Sequence, residues 1–518
     1  RGVDPDCQDR VLRRFIKLVS EHANIKDMSI ISYNYRDYPI HQIPVNAEKI
    51  GQILGLNISE KVYLSSLSKR PDSVFQHTDY SDDEYKNLLL QIRGRLNKKG
   101  KKILSLDNRL KEISSRKDID EILSAGVSSA DHMLRIRPKS ATVTLEDTET
   151  GINEFRENYS AYFEANKSLL PAGYSSHGND PRVIIVPGVG AVTAATTIKE
   201  NTMLADIASH THGVAARVVD VFGDGDTISD AEIFGFDYWP MELFKLKNKP
   251  APAQLDGHII IVTGAGSGIG RGVALELAKR GAHLVLADIE EAGLIKVEKE
   301  FAENKCNQPL LVLGDQSKES DVQATVTKTI KHFGGLDGVV INAGIGISDK
   351  LEDLDVEKWR RGLDINLSSA FMLTKESMKV MRKQHMGGSI VYIASKNAFA
   401  PGAGFGGYSV SKAGMLQLMR IAALEGGSAG IRFNGINPDA VFDNSKLWEG
   451  GIREQRAAAH GVKPEELEDF YASRNLLNAR VRSLDVARAA AFLLSDESSR
   501  TTGSVIAVDG GVAAAFPR

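Results

Sequence analysis

The sequence predicts an α/β protein, with a C-terminal Rossmann-type doubly wound parallel sheet preceded by a smaller mixed α/β region rich in helix. Three observations predict it. From 256 to 518, apolar β-branched runs alternate with helically spaced segments through short loops, as in a parallel sheet covered by helices on both faces. The first run, His258-Ile259-Ile260-Ile261-Val262, enters a glycine-rich turn, Thr263 to Gly270, and helical spacing resumes at Val273. Before that half, the polar, proline-rich stretch 247–255 has the composition of a linker.

At 518 residues the chain exceeds one core, and its domains are read as 1–120, mostly helical; 121–246, an α/β segment; the linker 247–255; and 256–518. A net charge of −3 gives no general attraction to nucleic acid or to an anionic membrane. No apolar run reaches the length needed to span a bilayer. Two cysteines, Cys7 and Cys306, exclude a disulfide framework and point to a reducing, cytoplasmic setting. The chain starts at Arg1 without a secretory leader pattern, which suggests a fragment or processed product.

In the N-terminal half, Val11 to Val19 is amphipathic, and a second helix starts at Tyr85 behind the acidic run Ser81 to Glu84. The basic residues from Arg93 to Lys102 lack interleaved aromatics and read as a solvated helix face. Arg182 to Gly190 is a buried strand running into a turn, with a long helix expected from about Ala191 to Val219. Gly223-Asp224-Gly225-Asp226 is a plain turn, since the ligand series of a calcium loop is missing. His210 and His212 fall two apart in a helix, so they point to different sides and read as a packed or capping pair; no metal site is assigned. Phe236 to Pro240 is an aromatic cluster suited to core or interface packing.

In the C-terminal half, strands are expected at 258–263, 282–287, 310–314, 337–341, 389–394, 431–436 and 504–508. Right-handed crossovers then place ligands at the carboxyl ends of the strands. Glycines in the 263–270 turn let the backbone approach a pyrophosphate over a helix N-terminus, with Gly264, Ser267, Gly268, Ile269 and Gly270 as contacts. Asp288 stands twenty residues after Gly268, where a carboxylate accepts bonds from a ribose 2′-OH and repels a 2′-phosphate, favouring NAD over NADP. Further candidates at strand ends are Asp315, Asn342-Ala343-Gly344 and Ser395. Tyr408 and Lys412 lie four apart on one helix face, where an ammonium would stabilise a phenolate and lower the tyrosine pKa.

From Asp256 onward the sequence resembles the short-chain dehydrogenase/reductases, carrying T-G-x-x-x-G-x-G as Thr263 to Gly270 and Y-x-x-x-K as Tyr408 to Lys412. Ser395, thirteen residues before Tyr408, Asn366 in Asp364-Ile365-Asn366-Leu367, and the ending Thr502-Gly503 with Val508 to Gly511 complete the likeness over about half the chain. The resemblance implies an NAD-dependent alcohol/carbonyl oxidoreductase. In it Tyr408 is the acid/base, Ser395 holds the substrate oxygen, Lys412 bonds the nicotinamide ribose, and Asn366 holds a proton-relay water. It also places Asp315 by the adenine, Asn342 to Gly344 along the cofactor cleft, and the loop at Pro438 over the nicotinamide. Self-association as a dimer or tetramer is expected on the same ground. This chain has Ile341 before Asn342-Ala343-Gly344 where many relatives have asparagine, and Asp439 where most have glycine. Asp439 is read either as a contact to a substrate hydroxyl or as a helix N-cap. Lys396 and Asn397 are read as holding a substrate carboxylate or phosphate, or as bonding within their loop.

Asn437 to Phe442, Trp448 to Asn475, Ala515 to Arg518 and Tyr238 to Leu243 resemble the bifunctional aldolase/short-chain dehydrogenases, linked to rhamnulose-1-phosphate cleavage with lactaldehyde oxidation. Ala130-Asp131-His132 to Arg137 and Arg182 to Gly190 resemble the later part of their class II aldolase-like region. That family's phosphate-binding turn and zinc-binding H-x-H do not occur in residues 1–120. The expected function is oxidation or reduction of a small aldehyde, ketose, polyol or sugar phosphate, with lactaldehyde favoured. A retained metal-dependent aldolase activity and a cofactor-binding scaffold are the alternatives.

Overall fold

The computed structural model describes residues 80–516, apart from 97–99, 128, 223–227 and 249–250. The amphipathic stretch 11–19, Cys7 and the turn 223–226 lie outside the described residues. Residues 76–215 and 226–518 pack as one compact unit, so the polar stretch 247–255 joins two layers of one body.

The N-terminal layer begins with α1 (Asp82–Arg95), whose Ser81 and Glu84 form a reciprocal capping box. Then come β1 (Ile103–Asp107), the short helices α2 (Lys111–Ser114), α3 (Ile119–Ser124) and α4 (Ala130–Ile136), β2 (Ala141–Thr142) and α5 (Thr148–Asn166). The layer continues through β3 (Val183–Val186), β4 (Gly190–Ala195), α6 (Ile198–Phe222), α7 (Asp230–Asp237) and α8 (Pro240–Lys247). Its sheet order is β1-β4-β3-β2, and β1 thereby ties the stretch read as mostly helical into the α/β segment.

The long helix expected from Ala191 starts seven residues later, at Ile198. Gly190 closes a turn at φ +132°, and Ala191 to Thr193 return along Val183 to Ile185 as an antiparallel strand. All six β4 residues are buried, so the Ala/Val/Thr run reads equally well as a strand or a helix until its pairing is known. Within the aromatic stretch, Tyr238 is buried with Phe234 and Leu243, whereas Phe236 and Trp239 are exposed.

The C-terminal layer contains β5 (Ile259–Thr263), α9 (Gly268–Lys279), β6 (His283–Asp288), α10 (Glu291–Glu303), β7 (Leu310–Leu313), α11 (Glu319–Phe333) and β8 (Gly338–Ile341). After these come α12 (Val356–Leu363), α13 (Ser369–Gln384), β9 (Gly388–Ile393), α14 (Gly406–Gly426), β10 (Ile431–Pro438), α15 (Ile452–His460), α16 (Leu467–Ser473), α17 (Ser483–Leu494) and β11 (Val505–Val508). The seven strands are all parallel, in the order β11-β10-β9-β8-β5-β6-β7, and every one overlaps its expected position. Strand order reverses between β5 and β8, which opens a crevice at their carboxyl ends.

The N-terminal layer docks at the opposite, amino end of those strands. Arg93 of α1 forms a fork with Asp337, which precedes β8, at 2.6 and 3.1 Å. Gly94 stands so close to α13 that a Cβ would meet the Gln384 carbonyl oxygen at 2.1 Å. One apolar core runs from α1, β1 and α5 into the face of the large sheet covered by α11, α13 and α14.

Candidate active site

The crevice is built first by backbone. Gly264 turns the chain at φ +63°, and a Cβ on Gly270 would collide with the Gly264 carbonyl at 2.0 Å, so α9 packs tightly onto β5. Gly270 therefore serves this packing, whereas Gly264, Ser267, Gly268 and Ile269 line the cleft directly. Ser267 precedes α9 without a side-chain cap; the Gly268 amide donates to the Asn444 carbonyl at 2.9 Å, and the amides that follow it in the first turn are left for an anion. Asn342 fastens the neighbouring strand end, its Nδ2 donating to the Thr263 and Gly264 carbonyls at 3.0 and 3.1 Å. Thr263 Oγ1 in turn accepts from the Asn342 and Ala343 amides.

At the far end, Asp288 accepts from the Gly266 amide at 2.8 Å and the Glu290 amide at 3.0 Å, presenting its carboxylate beside the turn. Asp315 lines the same end; bonds from Ser317 hold its carboxyl below the usual carboxylate range. Lys446 also reaches this end, and its ammonium is taken by Glu290.

Opposite lie Ser395, Tyr408 and Lys412. Ser395 follows β9 and caps a short helical turn by accepting from the Asn397 amide at 3.2 Å. Tyr408 and Lys412 project from α14 into the cleft, Tyr408 packed against Phe405 and Ile347. Lys412 Nζ donates to the Ile393 carbonyl at 2.8 Å and stands 5.8 Å from the centre of the Tyr408 ring. Burial lowers the lysine to about 8.

The sequence led us to expect a depressed tyrosine pKa, and here the structure differs. Burial pushes Tyr408 up to about 12, the hydrogen bond with Ser395 opposes that rise, and the Asp439 carboxyl adds to it. The ammonium is engaged with a carbonyl, so desolvation of the phenolate outweighs its attraction.

Asn366 sits in a π-helical turn, Asp364–Ser368, between α12 and α13. It is fully buried behind the cleft wall, where its Oδ1 accepts from the Ile345 amide at 2.8 Å and its Nδ2 donates to the Ile345 carbonyl and to Ser411 Oγ, each at 3.0 Å. In this geometry it clamps the Gly344–Ile345 backbone.

The loop from Pro438 covers the remaining side. No helix starts at Asp439, so the N-cap alternative falls, and the side chain lines the cleft among buried polar groups. Lys396 donates to the Ala400 carbonyl at 3.3 Å and Asn397 bonds Ser395, so both make the loop contacts foreseen while also lining the cleft. Sequence reasoning missed Phe405, Trp448, Arg456 and Tyr471, which close the cleft from the 440–475 segment and the loop before α14. No local spacing in the sequence marks Arg456, which reaches the cleft only through the path of that segment. The cleft measures about 310 Å³.

His210 and His212 diverge as helix geometry requires. His210 packs edge-on against the His132 ring at 5.6 Å, and His212 meets Ser140 at 3.0 Å. No group of three or more potential metal-ligating side chains occurs among the described residues.

A glycine turn over a helix N-terminus, an acidic strand end and a Ser/Tyr/Lys set in one crevice define a dinucleotide-binding oxidoreductase. Residues 264–513 match the family described as enoyl-(acyl carrier protein) reductase, and residues 83–246 match the aldolase class II second domain. The chain belongs to the short-chain dehydrogenase/reductase family, preceded by a class II aldolase-like region. An uncharacterized oxidoreductase of Bacillus subtilis (strain 168), YuxG, is 32% identical over 442 residues, covering 82% of this chain; the chain spans 63% of that relative's length. Levodione reductase of Leifsonia aquatica is 32% identical over 50% of this chain and 95% of its own. The crystal structure of a levodione reductase matches at 31% identity over 50% of this chain and 98% of the other, with a TM-score of 0.47. Among the described residues, no helix is long and apolar enough to cross a membrane.

Proposed function

We propose that the protein is an NAD-dependent dehydrogenase that interconverts an alcohol and a carbonyl on a small aldehyde, ketose, polyol or sugar-phosphate substrate, with a lactaldehyde-like compound favoured. The observation that carries this reading is the convergence of Ser395, Tyr408 and Lys412 at one end of the cleft whose other end is the Gly264–Ile269 turn with Asp288. NAD fits the residues present. The first turn of α9 would hold the pyrophosphate, Asp288 the adenosine ribose, Asp315 the adenine edge, and Lys412, Asn342 to Gly344 and Pro438 the nicotinamide side. The cation at the adenosine end, Lys446, is held by Glu290, which disfavours a 2′-phosphate. When bound, the nicotinamide supplies hydride transfer to or from the substrate carbon.

The chain's own residues handle the proton. Tyr408 gives its phenolic proton to the carbonyl oxygen in reduction and takes the alcohol proton in oxidation. Ser395 holds that oxygen by a hydrogen bond. With its pKa pushed up to about 12, Tyr408 is a phenol at neutral pH, which favours the reductive direction there. Asn366 keeps the wall at Ile345 in place, so a change there acts through geometry.

Purified protein assayed with NAD and with NADP against lactaldehyde, polyols and ketoses tests the reading. Turnover with NAD that disappears in Tyr408→Phe is the expected result. Activity unchanged by that substitution, or preference for NADP, would overturn it.

A further inference from the structure

Lys396 and Arg456 line the substrate side of the cleft, and each is only 8% exposed. Burying a cation is costly unless an opposite charge meets it. Both of these are bonded to neutral acceptors. Lys396 Nζ donates to the Ala400 carbonyl at 3.3 Å, and Arg456 donates to the Ala403 carbonyl at 3.2 Å and meets His460 Nε2 at 3.1 Å. Among the described residues, no ion pair joins either one to a carboxylate. Arg474 adds positive potential to the same group, stacked on Tyr471 at 4.8 Å. Asp439, 6% exposed, and the buried Asp509 are the acidic side chains of this neighbourhood, two against three basic ones. Burial raises the Asp439 carboxyl, with Lys396 and Arg474 the main opposing influences. The Arg456 guanidinium is already oriented, lying over the Phe405 ring at 5.4 Å, and Lys396 directly follows the serine that faces the reacting oxygen.

We propose that Lys396 and Arg456 form an anion-binding subsite for a carboxylate or phosphate on the substrate, with Asp439 beside it as acceptor for a neighbouring substrate hydroxyl. This rests on the dehydrogenase reading and moves its preferred substrate from the neutral lactaldehyde-like compound to the sugar-phosphate type, a hydroxylated compound bearing an anionic group near the reacting carbon. The anion completes the pairing that the two cations lack, and the fork of Arg456 matches the oxygens of either group.

Glycerol, glycerate and glycerol 1-phosphate share three carbons and differ in charge, so they serve as probes. Calorimetry is run on the whole chain with NAD saturating, which keeps anions off the pyrophosphate site. One of the two anions should bind at least tenfold more tightly than glycerol, and which one wins decides between carboxylate and phosphate. Arg456→Met should weaken that anion tenfold or more, with partial recovery in Arg456→Lys; Lys396→Met is the second variant if the first does not fold. Glycerol binding as tightly as both anions, neither anion binding, or an anion Kd within twofold of the parent in the folded variants would overturn the subsite. Failure of NAD itself to bind would instead remove the dehydrogenase reading, and the two failures are distinguished by the NAD titration that opens the experiment.

Discussion

Two groups of buried charge sit at opposite ends of the same parallel sheet and are built on opposite principles. At the amino end, Asp337 receives both Arg93 Nη atoms, a Lys101 ammonium at 3.3 Å and the Ile259 amide at 2.8 Å. Arg93 spends its remaining donors on the Lys102 and Gly257 carbonyls and the Met386 sulfur. At the carboxyl end, Lys396, Arg456 and Asp439 are buried to a similar degree without closing on one another, and Asn437 Oδ1 and Asp509 Oδ2 lack a hydrogen-bond partner. In the first arrangement both Asp337 oxygens are bonded, and the ion pair joins two layers of the fold. In the second, Lys396, Arg456 and Asp439 line a cleft without an ion pair among the described residues, an arrangement in which stability is given up for binding.

The largest effect is expected at the reacting end. Tyr408→Phe should lower kcat by about 10²–10⁴-fold while the melting curve and NAD titration stay close to the parent. Loss of the fold in this variant would erase the contrast between a working and a structural group.

Arg93→Met should come next, leaving Asp337 buried without its main partner and costing about 3–5 kcal/mol in denaturant unfolding. The pH dependence follows from the sign of the shift. Asp337 is held far below the ordinary carboxylate range, chiefly by Arg93 and then Lys101 against the opposing effect of burial. Its contribution is therefore complete above pH ~4 and is lost as the pH falls toward the folded pKa. Arg93→Met should flatten that acid branch, and an unchanged branch would mean that the pair contributes little.

A smaller effect distinguishes the two directions of the reaction. Burial pushes Tyr408 up to about 12, so its small phenolate fraction, and with it alcohol oxidation, should rise from pH 7 to 10 while carbonyl reduction, which uses the phenol, stays nearly flat. Initial rates in both directions across that range test it, and an oxidation optimum near neutrality would refute it.

The smallest expected change sharpens the comparison most. Asp439→Asn removes a carboxyl whose pKa burial has raised, so stability should hold or improve by up to about 1 kcal/mol near neutral pH. Asp337→Asn should destabilise instead. Thermal melts of the two variants side by side are enough, and equal losses would show that both groups are structural.

Much of the carboxyl-end site was legible because each residue type announces its chemistry at a spacing that geometry then uses. The strand–glycine–helix unit, the acidic end of β6 and the i, i+4 pair on α14 are local patterns, and local patterns survive folding. Arg456 was not legible, because it reaches the cleft only through the path of the 440–475 segment and resembles any surface arginine in the sequence. The strand Gly190–Ala195 was misread as the start of a helix because its side chains are small and buried on both faces, which removes the period that separates the two structures. The basic run at Arg93 was read as solvated, yet Arg93 is among the most buried side chains described. Its acidic partner lies 244 residues away in sequence.

By itself the sequence determined the doubly wound half, its strand positions, the glycine turn after β5 and the i, i+4 placement of Tyr408 and Lys412, because these depend on near-neighbour geometry, while Ser395 was marked by the family resemblance. Only the tertiary structure decided the rest. Long-range packing brought Arg93 to Asp337, turned Asn366 onto the Ile345 backbone, raised the Tyr408 pKa by burial, and set Lys396 and Arg456, which make no ion pair among the described residues, in the cleft that Ser395 lines. The physical reason is that burial and charge pairing depend on which distant segments meet, and that information is absent from local spacing.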